Sequence, residues 1–470
     1  MTRHTLSLTA DTYFKIKRIV LKDNFECGTL LLCGRSRHLD PWTGEVEERF
    51  VGYKIIEIPT EMFIERTRTH IKWSTTPFFN ALKMAEPKDF AVAVIHSHPG
   101  GTTEFSSADD VAERETFQIA FDRLSSDRPH LSIVMDGKGN LAARAYGPDL
   151  KPRSMELIRV IGDRWKMWHS GFDTQYLTGP EFDRQVRTFG AQSTSDLNKM
   201  RIGIVGCGGT GSAVASLLAR IGVGKIALFD GDKVEQSNLN RLHFSKKIDA
   251  NLRRRKVDVV GEGIAEIGLN TEVVTFPFAI DDSRCRDAVL SCDVIFGCTD
   301  DHLGRNFLNR IAHFFLIPII DMGLLIAAKS DGPGYDTFDG RVTVVQPGYP
   351  CQVCRGLIDP ERLRIESLLR SSPELHEQQR RAGYIPNAPD PSPVVVTFTS
   401  ELASMAVNEL FQRLNGFRGD AGACAERVRR FDEIKDADSV PGGRSRQGCK
   451  LCEKRQYDGR GSMQPFLDMT

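Results

Sequence analysis

Between Met200 and Ile221 the chain passes from an apolar run with Ile202, Ile204 and Val205 through Gly206-Cys207-Gly208-Gly209-Thr210-Gly211 and into Ala213 to Ile221. A glycine turn between a strand and a helix lets phosphate approach the backbone N–H groups at the helix N-terminus. Alone the turn is weak evidence, but followed by alternating strands and helices it implies a parallel sheet with crossover helices. The following residues agree. A second strand is expected over Lys225 to Asp230, and further strands at Glu272 to Phe276, Val294 to Gly297 and Ile317 to Asp321, with helical stretches between them. An α/β unit with a Rossmann-like, mainly parallel sheet is therefore expected over residues 179–470. After Ala328 the pattern predicts irregular Gly- and Pro-rich segments, and after Ile434 a loose polar chain apart from one CxxC pair.

Upstream, short β-rich runs (Gly28 to Cys33, Val51 to Ile58, Phe90 to Ile95, Leu131 to Met135, Ala142 to Tyr146) alternate with helical stretches, which predicts a mixed α/β unit over residues 1–150. Gly147, Pro148 and Pro152 interrupt it. Ile158, Ile161, Trp165 and Trp168 then recur at three- and four-residue intervals, predicting a connecting helix over Met155 to Trp168 within a linker, residues 151–178. A chain of 470 residues has room for about three compact units, and 40% apolar with 26% charged residues excludes global disorder. Lys plus Arg (62) balances Asp plus Glu (62), so no overall field gathers nucleic acid or anionic lipid. The basic run Arg253 to Lys256 reads as a solvated helix face beyond Lys256 itself. Ile311 to Ala328, broken by His313, Pro318 and Asp321, reads as a buried helix-to-strand passage rather than a membrane span. Lys15, Lys17 and Arg18 stand where a signal peptide needs an apolar core, so a cytoplasmic protein is expected, with no membrane partner.

The sharpest short pattern is His96-Ser97-His98-Pro99, with Ser106 and Asp109 downstream. Histidines two apart at the end of a strand project to one side, and an aspartate can return from the following helix. Three such ligands leave a fourth tetrahedral position open, which suits zinc-assisted hydrolysis of an amide. Glu26 can act as proton shuttle and the Ser106 hydroxyl as oxyanion donor. Glu26 in Phe-Glu-Cys-Gly, followed by HSHP and SSAD, resembles the JAMM (Jab/MPN/Mov34) metalloproteases. The resemblance implies zinc ligands His96, His98 and Asp109, general base Glu26, and Ser106 hydrogen-bonded to the transition state. It also implies cleavage just after the C-terminal glycine of a ubiquitin-like protein.

The glycine turn alone is compatible with a dinucleotide dehydrogenase, since Asp230 ends the second strand where a carboxylate binds ribose. The residues beyond it favour a different chemistry. Asp232, Glu235, Ser237-Asn238-Leu239-Asn240-Arg241, Lys256, Cys298-Thr299-Asp300 and Arg305 supply the cations and carboxylates needed for attack on an α-phosphate, and no GxxxxGK[ST] occurs. With Phe182-Asp183-Arg184-Gln185, the LFDGD run and SNLNR, this segment is similar to the ThiF/MoeB/HesA family, the superfamily of ubiquitin-activating enzymes. The resemblance implies that ATP lies over Gly206, Gly208, Gly209 and Gly211. It further implies that Asp230, with Asp232 nearby, holds the ribose, and that Asn238, Arg241 and Lys256 bind the triphosphate. By the same resemblance Asp300 would position magnesium and the incoming carboxylate, and Arg184 would reach across a symmetric dimer.

Eleven cysteines in a reducing compartment point to metal sites or catalysis before disulfides. Cys351 and Cys354 with Cys449 and Cys452 form two CxxC pairs suited to one closed structural zinc site. Many members of the resembling family carry a nucleophilic cysteine on a crossover loop, but no cysteine lies between Cys354 and Cys424. Cys424 reads as an ordinary thiol rather than a displaced nucleophile, and Cys207 and Cys298 as packing or phosphate-loop residues. The expectation is thus a bifunctional enzyme, a JAMM isopeptidase joined to an adenylyltransferase, acting on the glycine-ending tail of a ubiquitin-like protein in a bacterial-type conjugation system. A conjugating enzyme or sulfur donor is a further expected partner. Sulfur-carrier processing and a non-catalytic scaffold are the alternatives.

Overall fold

The computed structural model describes residues 2–124, 127–170, 179–329, 334–385 and 394–462. The N-terminal strands are β1 (Thr2–Thr9), β2 (Gly28–Leu39), β3 (Val46–Glu57), β4 (Phe63–Arg66), β5 (Ile71–Trp73), β6 (Ala91–His98), β7 (His130–Asp136), β8 (Leu141–Tyr146), β9 (Pro152–Ser154), β10 (Leu157–Ile161) and β11 (Lys166–His169). Apart from the β4-β5 hairpin they form one mixed sheet in the order β11-β10-β1-β3-β2-β6-β7-β8-β9. β6 shows why its sequence is apolar throughout. Ala91, Ala93 and Ile95 pack with Tyr13 and Ile16 of the helix Ala10–Val20. Val92 and Val94 face the opposite way, with Phe78 and Leu82 of the helix Thr76–Ala85 and Phe117 of the helix Ser107–Arg123. A strand covered on both faces loses the polar half of its alternation.

The C-terminal strands are β12 (Arg201–Val205), β13 (Lys225–Phe229), β14 (Glu272–Phe276), β15 (Val294–Gly297), β16 (Ile319–Ala328), β17 (Tyr335–Val345), β18 (Glu426–Arg430) and β19 (Asp438–Ser439). Their order is β14-β13-β12-β15-β16-β17-β18-β19, parallel from β14 to β16 and antiparallel beyond. The strand order reverses between β12 and β15, the place where open α/β sheets bind ligands at the carboxyl ends of their strands. The mixed α/β class with parallel pairing agrees with the sequence reading. Among the described residues no helix is long and apolar enough to cross a membrane.

Three expectations are corrected. Met155 to Trp168 is not a helix: it holds β10, the bend around Gly162 and β11. Leu157, Ile158, Val160 and Ile161 are buried between β1 and β11, and the three-four spacing arose from reading across a turn. Residues 171–178 of the expected linker lie outside the described residues. The stretch after Ala328 is largely regular, with β17 and the helices Pro360–Ser371, Pro373–Arg381 and Val396–Asn415. The chain after Ile434, expected to be loose, is held in place between Asp458 and Ser462. Asp458 Oδ1 lies 2.7 Å from Nδ1 of the buried His313, and the N–H groups of Gly459, Gly461 and Ser462 donate to His313, Phe314 and Arg35 carbonyls. Where this segment crosses β2, a Cβ on Gly34 would lie 2.4 Å from two of its carbonyl oxygens, so only glycine allows the crossing.

The two sheets meet through buried charge. Glu47 accepts from Arg3 and Arg201, each at 2.9 Å, and from Arg49 at 3.3 Å. Arg159 Nε donates to Asp293 at 2.7 Å, and Arg49 to the Cys292 carbonyl at 3.0 Å. Burial alone would raise the Glu47 carboxyl pKa, but Arg49 and Arg3 hold it well below the usual carboxylate range. At the tip of the β2-β3 hairpin, Trp42 Nε1 donates to the Glu272 carbonyl at 3.3 Å.

Candidate functional site

β6 ends in the two histidines, whose i, i+2 spacing puts both imidazoles on one face. Asp109 reaches them because Ser106 caps the helix Ser107–Arg123. Its Oδ2 accepts from the Ser106 N–H at 2.7 Å and the Ser106 hydroxyl at 2.8 Å, while its own N–H donates to Ser106 Oγ at 3.1 Å. This capping box leaves Oδ1 3.1 Å from His96 Nε2. The two Nε2 atoms are 3.2 Å apart, and His98 Nε2 is 3.6 Å from Asp109 Oδ2. Ligands on one tetrahedral zinc ion at about 2.05 Å stand about 3.3 Å from one another, so the three groups fit the ion. His98 Nδ1 lies 3.1 Å from the Thr102 carbonyl, and donating there leaves Nε2 free to ligate.

Glu26 stands beside this cluster, only 6% exposed, with Oε1 4.0 Å from His98 Nε2. Burial raises its carboxyl pKa against the opposing pull of His96 and His98. The Asp109 carboxyl, which burial would raise, is held well below the usual range by hydrogen bonds to His96 and His98. The hydrogen bond to Asp109 raises His98 in turn. Ser106 is placed next to the cluster with its hydroxyl turned to Asp109, as a helix cap. Sequence reasoning missed the residues that fix Glu26. Ser97, on the other face of β6, is fully buried; it donates to the Val20 carbonyl at 2.7 Å and accepts from the Cys27 N–H at 3.1 Å. Arg66 Nε donates to the Glu26 carbonyl at 2.9 Å. The only sequence signal was position: the residue between two same-face ligands must point the other way.

The second cluster lies at the carboxyl ends of β12, β13 and β15. Gly206 has φ +88°, and a Cβ there would sit 2.7 Å from the Cys298 carbonyl. A Cβ on Gly211 would come within 1.8 Å of the Gly206 oxygen. The helix Gly209–Arg220 starts at Gly208 without a side-chain cap, so its first N–H groups face the turn. Asp230 accepts from the Cys207 N–H at 2.7 Å and the Asp232 N–H at 2.8 Å, and burial raises its carboxyl pKa. Lys256 Nζ is 2.7 Å from Asp232 Oδ2; burial pulls its pKa down, but Asp230, Asp232 and Asp300 together raise it. The Arg241 side chain runs against Gly209, its Cδ and Cγ 3.4 Å from where a Cβ would be. Asn238 Oδ1 accepts from the Glu235 N–H at 3.1 Å, which orders the SNLNR turn.

Thus Gly206, Gly208, Gly209, Gly211, Asp230, Asp232, Arg241, Lys256 and Asp300 are gathered around one turn. Arg184 is not. It is exposed on the helix Asp183–Phe189, whose Gln185 donates to the Ile221 carbonyl at 3.1 Å. That is the far end of the helix Gly209–Arg220, about 18 Å from the glycine turn at 1.5 Å per residue.

The four CxxC sulfurs also converge, with Cys351 to Cys449, Cys354 to Cys452 and Cys449 to Cys452 separated by 3.8, 3.5 and 3.6 Å. A tetrahedral zinc with 2.3 Å Zn–S bonds needs about 3.8 Å, so this cluster can bind the ion. Burial raises the thiol pKa of Cys207, Cys298 and Cys424, the reverse of an activated nucleophile. Pro386 to Asp390, on the cysteine-free stretch between Cys354 and Cys424 where that loop is expected, lie outside the described residues.

Comparison with known proteins places the chain in a family. A curated relative, molybdopterin-synthase adenylyltransferase of Escherichia coli K12, is 28% identical over 177 residues, 37% of this chain and 66% of that protein. SAMP-activating enzyme E1 of Haloferax volcanii is 28% identical over 190 residues, 38% of this chain and 64% of that one. Adenylyltransferase and sulfurtransferase uba4 of Emericella nidulans is 33% identical over 156 residues, 32% of each. The chain therefore spans between a third and two thirds of the length of these relatives. Among solved structures, Escherichia coli MccB with ATP aligns at 18% identity and a TM-score of 0.44, covering 59% of this chain and 76% of that one. The model for prokaryotic homologs of the JAB domain matches residues 20–145, and that for the ThiF family matches residues 182–451. The chain belongs to the ThiF family and carries a JAB-type domain ahead of it.

Proposed function

We propose that the protein hydrolyses the bond after the terminal glycine of a small ubiquitin-like protein at its N-terminal site, and adenylates the freed carboxylate at its C-terminal site. The first half of this reading is carried by one observation: three ligand atoms at zinc-compatible spacing with a buried, proton-retentive carboxylate, Glu26, 4.0 Å away. Zinc held by His96, His98 and Asp109 would supply a Lewis acid with one open position. Glu26 takes the proton from the attacking water and returns it to the departing amine. Ser106 keeps Asp109 in place and, on rotation of its hydroxyl, faces the carbonyl oxygen as charge develops there.

At the second site the glycine turn receives the phosphates, Asp230 the ribose, and Arg241 and Lys256, with Asn238, the triphosphate. Asp300 orients magnesium and the incoming carboxylate. The carboxylate oxygen attacks the α-phosphorus, the bond to the β-phosphate breaks, and acyl-AMP and pyrophosphate result. Arg184, far from the turn of its own chain, serves the site of a second copy in a homodimer. Because burial suppresses the thiolate form of Cys207, Cys298 and Cys424, the acyl-AMP passes to an outside nucleophile. That favours, as a second reading, a sulfur donor as acceptor, in line with the sulfurtransferase in the name of the Emericella nidulans relative.

The test is paired. Glu26→Gln should lower zinc-dependent cleavage of a glycine-linked fusion by on the order of 10²- to 10⁴-fold and spare ATP–pyrophosphate exchange. Asp300→Ala should do the reverse. Loss of both activities in either folded variant refutes independent sites. Thiocarboxylate formed when sulfide is supplied decides for the second reading.

A further inference from the structure

We propose that Arg144 is the positioning residue that holds Asp109 at the metal site, an inference that rests on the metal reading above. The helix Ser107–Arg123 is anchored by apolar contacts only in its later turns, where Phe117 and Ala120 are buried. Its first turns offer no such anchor: Ala108 and Ala112 are exposed, and Val111 is 58% exposed. A helix end held by capping alone frays within a turn. Asp109 sits in that first turn, yet its carboxylate must be fixed to a few tenths of an ångström to ligate.

Arg144 supplies the missing anchor from β8. Its Nε donates to Glu113 at 2.7 Å and its outer nitrogen pairs with Asp110 at 2.6 Å, so one guanidinium clamps two carboxylates a turn apart on one helix face. Ser132 Oγ donates to the other Glu113 oxygen at 2.6 Å, tying the clamp to β7. The guanidinium also lies 3.9 Å from the Phe105 ring centre, directly before the cap residue Ser106. Arg144 therefore touches residues on both sides of Asp109. Arg144 and Glu113 are 8% and 5% exposed, which lets the pair act with little solvent screening. Lysine cannot hold two carboxylates in this planar fork.

The test uses the full chain with cobalt in place of zinc, because thiolate-bound cobalt shows sulfur charge-transfer bands that a histidine-aspartate site lacks. In metal competition against a chelator, Arg144→Leu should weaken the histidine-aspartate site by about ten-fold or more. Asp110→Asn should cause a smaller loss in the same direction, and both variants should keep their thiolate bands. Arg144→Leu with intact thiolate bands and parental affinity at the other site overturns the proposal. Should Arg144→Leu lose the thiolate bands too, Asp110→Asn decides: parental affinity there overturns the proposal, and a selective loss upholds it. A parent protein that takes cobalt at the thiolates alone overturns the metal reading itself, and the proposal with it.

Discussion

His38 and His130 are buried, and burial pushes both imidazoles down to a pKa of about 3. The folded protein keeps them neutral, whereas the unfolded chain protonates them near pH 6.5. Their contribution to stability is complete above about pH 6.5 and is lost as the pH falls toward 3. Between pH 6.5 and 5 each should cost about 2 kcal/mol, at about 1.4 kcal/mol per pH unit. Urea unfolding of metal-depleted protein at pH 7 and pH 5 measures the loss; equal midpoints would contradict it. At this scale the sequence was informative where chemistry is local. His96 and His98 are neighbours on one strand, and Ser106 and Asp109 stand close together in SSAD, although their capping box emerged only in the structure. Glu113 and Arg144 were illegible, since a salt bridge across 31 positions leaves no periodic trace.

At the scale of elements, the segment from Cys449 to Ser462 acts as a strap across the two sheets. The four-cysteine cluster lies at its start; Arg455 then pairs with Asp11 and Asp458, and the Gly459 and Gly461 N–H groups bond to the end of the helix His302–Phe314. Cys452→Ser should remove one ligand and loosen this strap. Trypsin should then cut at Arg455 or Arg460 at least several-fold faster than in the parent, as mass spectrometry of early digests would report. An unchanged cleavage pattern would show that the strap holds without the cluster. Elements were legible where one pattern ruled a whole segment, as in the glycine turn and its helix. β10 and β11 were misread because four residues from two strands and a bend mimic helical spacing.

At the scale of the whole molecule, how the two sheets dock left no sign in the sequence. Arg159 and Asp293 are 134 positions apart, and both are buried. Asp293→Ala leaves an uncompensated guanidinium and should cost about 3–5 kcal/mol, whereas Arg159→Met with Asp293→Ala should recover much of that loss. A double-mutant cycle on unfolding free energies checks both values; additive losses would deny the coupling. The direction of docking matters more. Arg201, Glu272, Cys292 and Asp293 stand at the amino ends of the parallel strands, and the first sheet meets them there. The glycine turn opens at the carboxyl ends. His96 pairs with Gly28, at the end of β2 remote from the hairpin tip that docks, a span on the order of 35 Å in extended chain. Back-to-back mounting gives the two sites separate entrances, so under the proposed function a tail freed at one site of a chain would cross bulk water before reaching the other. An added scavenger can intercept it on the way.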